Sequence, residues 1–305
     1  MILPITQEQA EMAIHDIRRE VRDRFVLPID PGDIFAYHLE RHIDDLNAAG
    51  AIYEKATEAS QAQVLEARCA YAGHDLIMVS WLEEDKSAPH ELLQVKRRRD
   101  QTGTAEEASA EITSEICRRH GIAEESLGRI CTAVNSTTVD FIDDEVRHTR
   151  LTKGGDPIVN FLTSKADTGH LLVLKDRLRK QSIVLRYFLE DYPLLTAELL
   201  TGDLKLPIES YEWLKEKLGI YLARTQVGFA NSQRAHLLTD ASLCGIAPSN
   251  IDRLAAAASL VKLRIHNGHM HDLLGRVNGS PISMLRALNQ AVDPIKDTRK
   301  RNILS

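Results

Sequence analysis

Residues 73–99, GHDLIMVSWLEEDKSAPHELLQVKRRR, decide how the chain is read. HDLIMVSWL (74–82) is apolar and rich in β-formers. EEDKSAP (83–89) is a charged turn closing on Pro89, and HELLQVKR (90–97) is a second apolar run with a basic end. The pattern predicts a hairpin. Asp75 opens its first strand, while Gln94 and Lys96, two apart, leave one face of the second. A carboxylate set across a hairpin from an amide oxygen and an ammonium is a candidate site for a metal ion and a water.

Working outward, AQVLEARCAYAG (62–73) is expected to be a strand before the hairpin, with Val64 and Leu65 near its start. Further back, VLPIDPGD (26–33) is a break, after which Asp33 is placed to cap a helix, IFAYHLERHIDDLNAAG, ended by Gly50. Ile34, Tyr37, Leu39, Ile43 and Leu46 form its apolar stripe, with Glu40 beside it. Residues 6–24 have a charged helical pattern. Downstream, TAEEASAEITSEICRRHG (104–121) is a helix with a capping box at Thr104 and Glu107 and a buried stripe of Ala108, Ile112 and Ile116. GRICTAVNS (128–136) reads as a further strand, and FIDDEVRHTR (141–150) fits no period cleanly. LTKGGDP (151–157) is a domain boundary, and everything after Ile158 favours helices. The expected architecture is an α/β core over residues 1–150, in the order αβββαβ, followed by an all-helical domain over 151–305.

Bulk properties narrow the class. The chain has 305 residues, 43% hydrophobic and 27% charged, as for a globular protein. No apolar run approaches a membrane span, and MILPITQEQAEMAIHD lacks the basic start and apolar core of a secretory signal. None of Cys69, Cys117, Cys131 and Cys244 forms a C-x-x-C pair. A reducing, cytoplasmic setting is therefore expected. Residues 1–150 carry 17 Lys+Arg against 29 Asp+Glu, a net −12, and residues 151–305 carry 21 against 15, a net +6. An acidic half joined to a basic half implies different partners for each.

Taken together, the element order, the acid opening the second strand and the Gln-x-Lys pair on the third resemble the PD-(D/E)xK, restriction-endonuclease-like nuclease superfamily over residues ~33–135. ELLQVKRR (91–98) is similar to the strand ends of defence-type and methyl-directed restriction nucleases. The resemblance implies an Mg²⁺-dependent endodeoxyribonuclease in antiviral defence. Its catalytic residues would be Asp75, Gln94, Lys96 and Glu40. Asp75, Gln94 and the Val95 carbonyl would hold the ion, and Lys96 would orient the water. Arg97, Arg98 and Arg99 would grip the DNA backbone. Gln in place of an acid removes one charge from the ion's ligands. DNA is the expected partner, and a homodimer or protein contact through the helical half would suit cleavage of both strands.

Two other patterns give alternatives. Residues 236–256, which include LTDASLCGIAPSNIDRLAA, resemble a helix-turn-helix, with Ala241, Gly245, Ile246 and Ile251 at the structural positions. Asn250 and Arg253 would then face DNA, as in a regulator; the plainer reading is a tight corner in a helical bundle. Arg264 and His269 resemble the Arg-x4-6-His pair of metal-independent HEPN ribonucleases, though Ile265 stands where a polar residue is usual. His266, His269, His271 and Asp272 do not share one helical face, which argues against zinc. There is no phosphate-cradling glycine loop for ATP or nicotinamide.

Overall fold

The computed structural model describes residues 4–24, 36–77, 80–89, 93–97, 104–142, 145–258 and 260–303. The chain is 77% helical, and its only strands among the described residues form two separate two-stranded hairpins. The expected α/β core is therefore corrected to an all-helical protein.

The correction comes from two segments. AQVLEARCAYAG is not a strand but α3 (Gln61–Gly73). Ser60 caps it, accepting from the Gln63 N–H while the Gln63 side chain returns to the Ser60 N–H. Its alanines favour helix, and residues from Val64 to Gly73 are buried on nearly every side. A continuous apolar run of this length does not distinguish a central helix from a buried strand. GRICTAVNS likewise belongs to α5 (Glu124–Asn135), where Ile130, Ala133 and Val134 form a buried stripe.

Other expectations stand. Residues 6–24 give α1 (Gln7–Arg24), and 104–121 give α4 (Thr104–Arg119), closed by Gly121 at φ 71°. The first long helix is α2 (Ala36–Thr57), but it runs through Gly50. There a Cβ would lie 3.0 Å from the Tyr71 ring, so Gly50 permits close packing of α2 on α3. The hairpin also forms, from β1 (Ser80–Glu84) and β2 (Leu93–Arg97), with Glu83 opposite Gln94 and Trp81 opposite Lys96. Asp75, however, lies in the turn that follows α3, before β1 begins. A small hairpin, β3 (Asp140–Ile142) with β4 (Glu145–Arg147), fills the unassigned stretch.

Beyond it come α6 (Pro157–Val173), α7 (Arg177–Glu190), α8 (Pro193–Thr201) and α9 (Ile208–Ile220). A π-helical turn (Tyr221–Gln226) leads into α10 (Val227–Leu243), α11 (Pro248–Ala257), α12 (Leu260–Gly279) and α13 (Pro281–Ile303). Asp156 caps α6, its carboxylate accepting from the N–H groups of Ile158 and Val159, with Pro157 in the first turn. Almost every residue of α6 is buried. It packs against α2, α3 and α5 on one side and α10 and α12 on the other, so helices from before and after residue 150 share one core.

Candidate metal centre

The C-terminal end of α3 is fixed by close approach to α4. A Cβ on Gly73 would fall 2.1 Å from Thr113 Oγ1, so only glycine fits there, and Thr113 Oγ1 donates to the Gly73 carbonyl. The next two residues, His74 and Asp75, are thereby held against α6. His74 is 2% exposed, and its Nδ1–H donates to the Tyr71 carbonyl at 2.8 Å. That bond assigns a proton to Nδ1, so Nε2 is the nitrogen a cation would take, in exchange for the proton that Asp75 and Asp167 favour there.

Three further elements converge on Nε2. Asp75 Oδ2 lies 2.9 Å away and Asp167 Oδ1, from α6, 3.3 Å away. Both carboxylates thus stand within ion-pair distance of the buried Nε2. His42 of α2 completes the group: one ligand atom each from His42, His74 and Asp75 lies within 4.8 Å of the other two. Two imidazoles and one carboxylate, with Asp167 beside His74, fit a divalent transition ion such as Mn²⁺, Fe²⁺ or Zn²⁺ better than Mg²⁺, which prefers oxygen ligands. The Asp75 and Asp167 side chains are each 18% exposed while the imidazoles are buried, so the site opens over its carboxylates.

Around this group stand His170 and Tyr187. The Tyr187 hydroxyl is 3.1 Å from His42 Nε2, and the His170 ring packs edge-on to His42 at 5.3 Å. His170 donates from Nδ1 to the Asp167 carbonyl, which leaves its buried Nε2 without a partner. Burial holds His170 below the ordinary histidine range, so it is a neutral base. Burial opposes charge on His74, but Asp75 and Asp167 raise it well above that range when no cation is bound. Burial works against ionisation of Asp167, yet His74 and the neighbouring histidines keep it low. At the rim, burial and then Asp75 raise the Glu106 carboxyl of α4, and Arg150 also acts on it. Behind His42, Asp45 is buried and binds Arg179 at 2.5 Å and also Arg186.

Asp75 is thus the one sequence-selected site residue that the described side chains bring to the centre. Gln94 is half-buried on β2 opposite Glu83. Glu40 belongs to α2 and Val95, Lys96 and Arg97 to β2, but their side chains lie outside the described residues, as do Arg98 and Arg99 altogether. The 236–256 corner exists as α10, a turn at Gly245 and α11. Asn250 is 5% exposed and donates to the Thr57 carbonyl, while Arg253 is exposed and pairs with Glu58, so both link α11 to the end of α2. Arg264 is exposed and His269 half-buried on α12.

Sequence reading missed His42, His74, Asp167 and His170. Two signals were present: the adjacent His74-Asp75 pair, and Asp167 three residues before His170, a spacing that puts both on one helical face. No family model matches the chain, and no curated protein or solved structure matches it either.

Proposed function

We propose that this protein is a metal-dependent hydrolase of phosphate esters, with His42, His74, Asp75 and Asp167 as its ligands. The observation that carries the reading is the convergence of His42, His74 and Asp75 within 4.8 Å, with the His74 tautomer fixed by Tyr71. A bound divalent ion supplies a water acidic enough to attack at neutral pH and offsets charge on the phosphoryl oxygens. The chain's residues divide the remaining work. His170 Nε2, neutral and buried, accepts the proton of the attacking water. Arg150, which acts electrostatically on Glu106, holds the phosphate at the rim. Glu106, which keeps its proton to higher pH than an ordinary carboxyl, supplies it to the leaving oxygen. The choice of phosphate rests on Arg150 and on this acid–base pairing.

The test uses purified full-length protein loaded with Mn²⁺, Fe²⁺, Zn²⁺ or Mg²⁺. It is offered p-nitrophenyl phosphate, bis-p-nitrophenyl phosphate, plasmid and single-stranded DNA, and RNA. Turnover of any of these that stops with chelator and in Asp75→Asn supports the reading. Activity that persists in chelator, or no activity with any substrate and ion, overturns it. The DNA arms decide whether the substrate is the one the nuclease resemblance implies.

A further inference from the structure

A second set of polar groups, which the hydrolytic reading does not use, lies between α7 and α12. Lys180 is fully buried on α7. His266 of α12 is also fully buried, and neither of its ring nitrogens has a partner. His269 Nδ1 is buried and unpartnered too. Lys262, His266 and His269 fall at i, i+4 and i+7, one stripe of α12. The stripe meets α7, as the Gln181 amide's donation to the His269 carbonyl at 2.8 Å shows.

The charges around Lys180 and His266 are positive, while Asp272 and Asp176 act on His269 at the outer end. Lys180 is influenced by Lys262, and His266 by Lys180, His269 and His170. No carboxylate acts on Lys180 or His266. Lys262 is half-buried and is in turn influenced by the exposed Lys175. Lys262 lies one helical turn before His266 on α12, toward the solvent-exposed end of the seam. A buried ammonium beside unpartnered imidazoles is costly unless something negative or hydrogen-bonding joins them. A cation is excluded by Lys180, and an apolar ligand would leave every one of these donors unmet.

We infer that the seam between α7 and α12 is a binding site for a phosphate-like oxyanion, held by Lys180 and His266 and reached past Lys262. An oxyanion offers several acceptor oxygens to the three ammonium protons and the imidazole N–H groups, and its charge offsets Lys180 and Lys262. The ligand is either free phosphate or a second anionic group of a substrate whose first lies at the metal centre. Oxyanion binding itself requires no metal, so it stands apart from the hydrolytic reading.

The experiment is calorimetric titration of chelator-treated full-length protein with inorganic phosphate, with chloride at equal ionic strength as control. Binding is expected in the parent and, undiminished, in Asp75→Asn, which removes the metal ligand but not the seam. Lys180→Met should weaken it at least about tenfold, the loss of one charge-assisted contact. His266→Gln should weaken it less, and Lys180→Arg should retain most of it. Should Lys180→Met fail to fold, phosphate-induced shifts of the His266 ring resonances in the parent replace it. Absence of phosphate binding in the parent overturns the inference. So does binding by Lys180→Met within about twofold of the parent, or phosphate that leaves the His266 ring resonances unmoved. Pyrophosphate that binds metal-loaded protein much more tightly than metal-free protein assigns the seam to a substrate spanning both sites. Equal affinity in the two forms assigns it to free phosphate.

Discussion

His74 Nε2 and Asp167 Oδ1 lie 3.3 Å apart, although one ends α3 in the acidic half of the chain and the other sits mid-way along α6 in the basic half. Burial of α6 along nearly its whole length brings the two together. It carries Asp167 and His170 into the space between α2, α3 and α7, where His42, His74, Asp75 and Tyr187 already face. The centre therefore depends on the two halves folding together.

Metal binding is expected to stabilise the protein and to depend on that meeting. Mn²⁺ or Zn²⁺ at a hundredfold excess over its dissociation constant should add about 2.7 kcal/mol, raising Tm by several degrees. Chelator should reverse the rise. His42→Ala or Asp75→Asn should weaken the ion by more than about a hundredfold, since loss of supporting groups alone costs 10–100-fold. Metal content by mass spectrometry and Tm by calorimetry check this; unchanged metal content in both variants refutes the ligand set.

Gly73→Ala should damage the same site without touching a ligand. The new Cβ would sit 2.1 Å from Thr113 Oγ1, so α3 or α4 must shift, at a cost of about 1–3 kcal/mol. His74 and Asp75 shift with it, so metal affinity falls as well as stability. The double variant Gly73→Ala/Thr113→Ala should regain part of both, as read by denaturation and metal titration.

Lys165 and Asp240 form a 2.6 Å ion pair that ties α6 to α10, with the Lys165 side chain 1% exposed. Lys165→Ala strands a buried carboxylate and should cost about 3–5 kcal/mol. Lys165→Met/Asp240→Leu, which removes both charges, should restore most of that loss. Urea midpoints of the three variants measure it; equal losses in single and double variants would show that the charges are not coupled.

Lys180 gives a pH dependence of definite sign. Burial, and then Lys262, pull it down to about 8 from an unfolded value of 10.5. Between those values the unfolded chain binds more protons, so stability should rise with pH from about 8 to 10.5. Below about 8 the full cost of charging Lys180 is present. Of the groups facing it, His266 and His269 are held low by burial and stay neutral across this window; Lys262, also lowered by burial, contributes a smaller rise of its own. Lys180→Met should flatten most of the rise and stabilise the protein at neutral pH. A denaturation series in phosphate-free buffer reads it, and an unchanged slope in Lys180→Met would contradict it.

Much of the local structure was legible in the sequence. The helical patterns of α1, α4 and the segments after Ile158 require only neighbouring residues, and so does the hairpin turn ending at Pro89. Two segments misled for one reason. AQVLEARCAYAG and GRICTAVNS are apolar enough to be buried, and short buried runs carry no period that separates strand from helix. Ser60 and Gln63 were the local evidence for helix in the first of these.

The sequence by itself determined that the chain after Ile158 is helical and that no apolar run approaches a membrane span, and it singled out Asp75 as a candidate site acid. Only the tertiary structure decided Asp75's company. Hydrophobic burial of α6 against both halves brings Asp167 to His74 and His42. That burial is a non-directional force summed over many residues, so no short stretch of sequence records which side chains it places together.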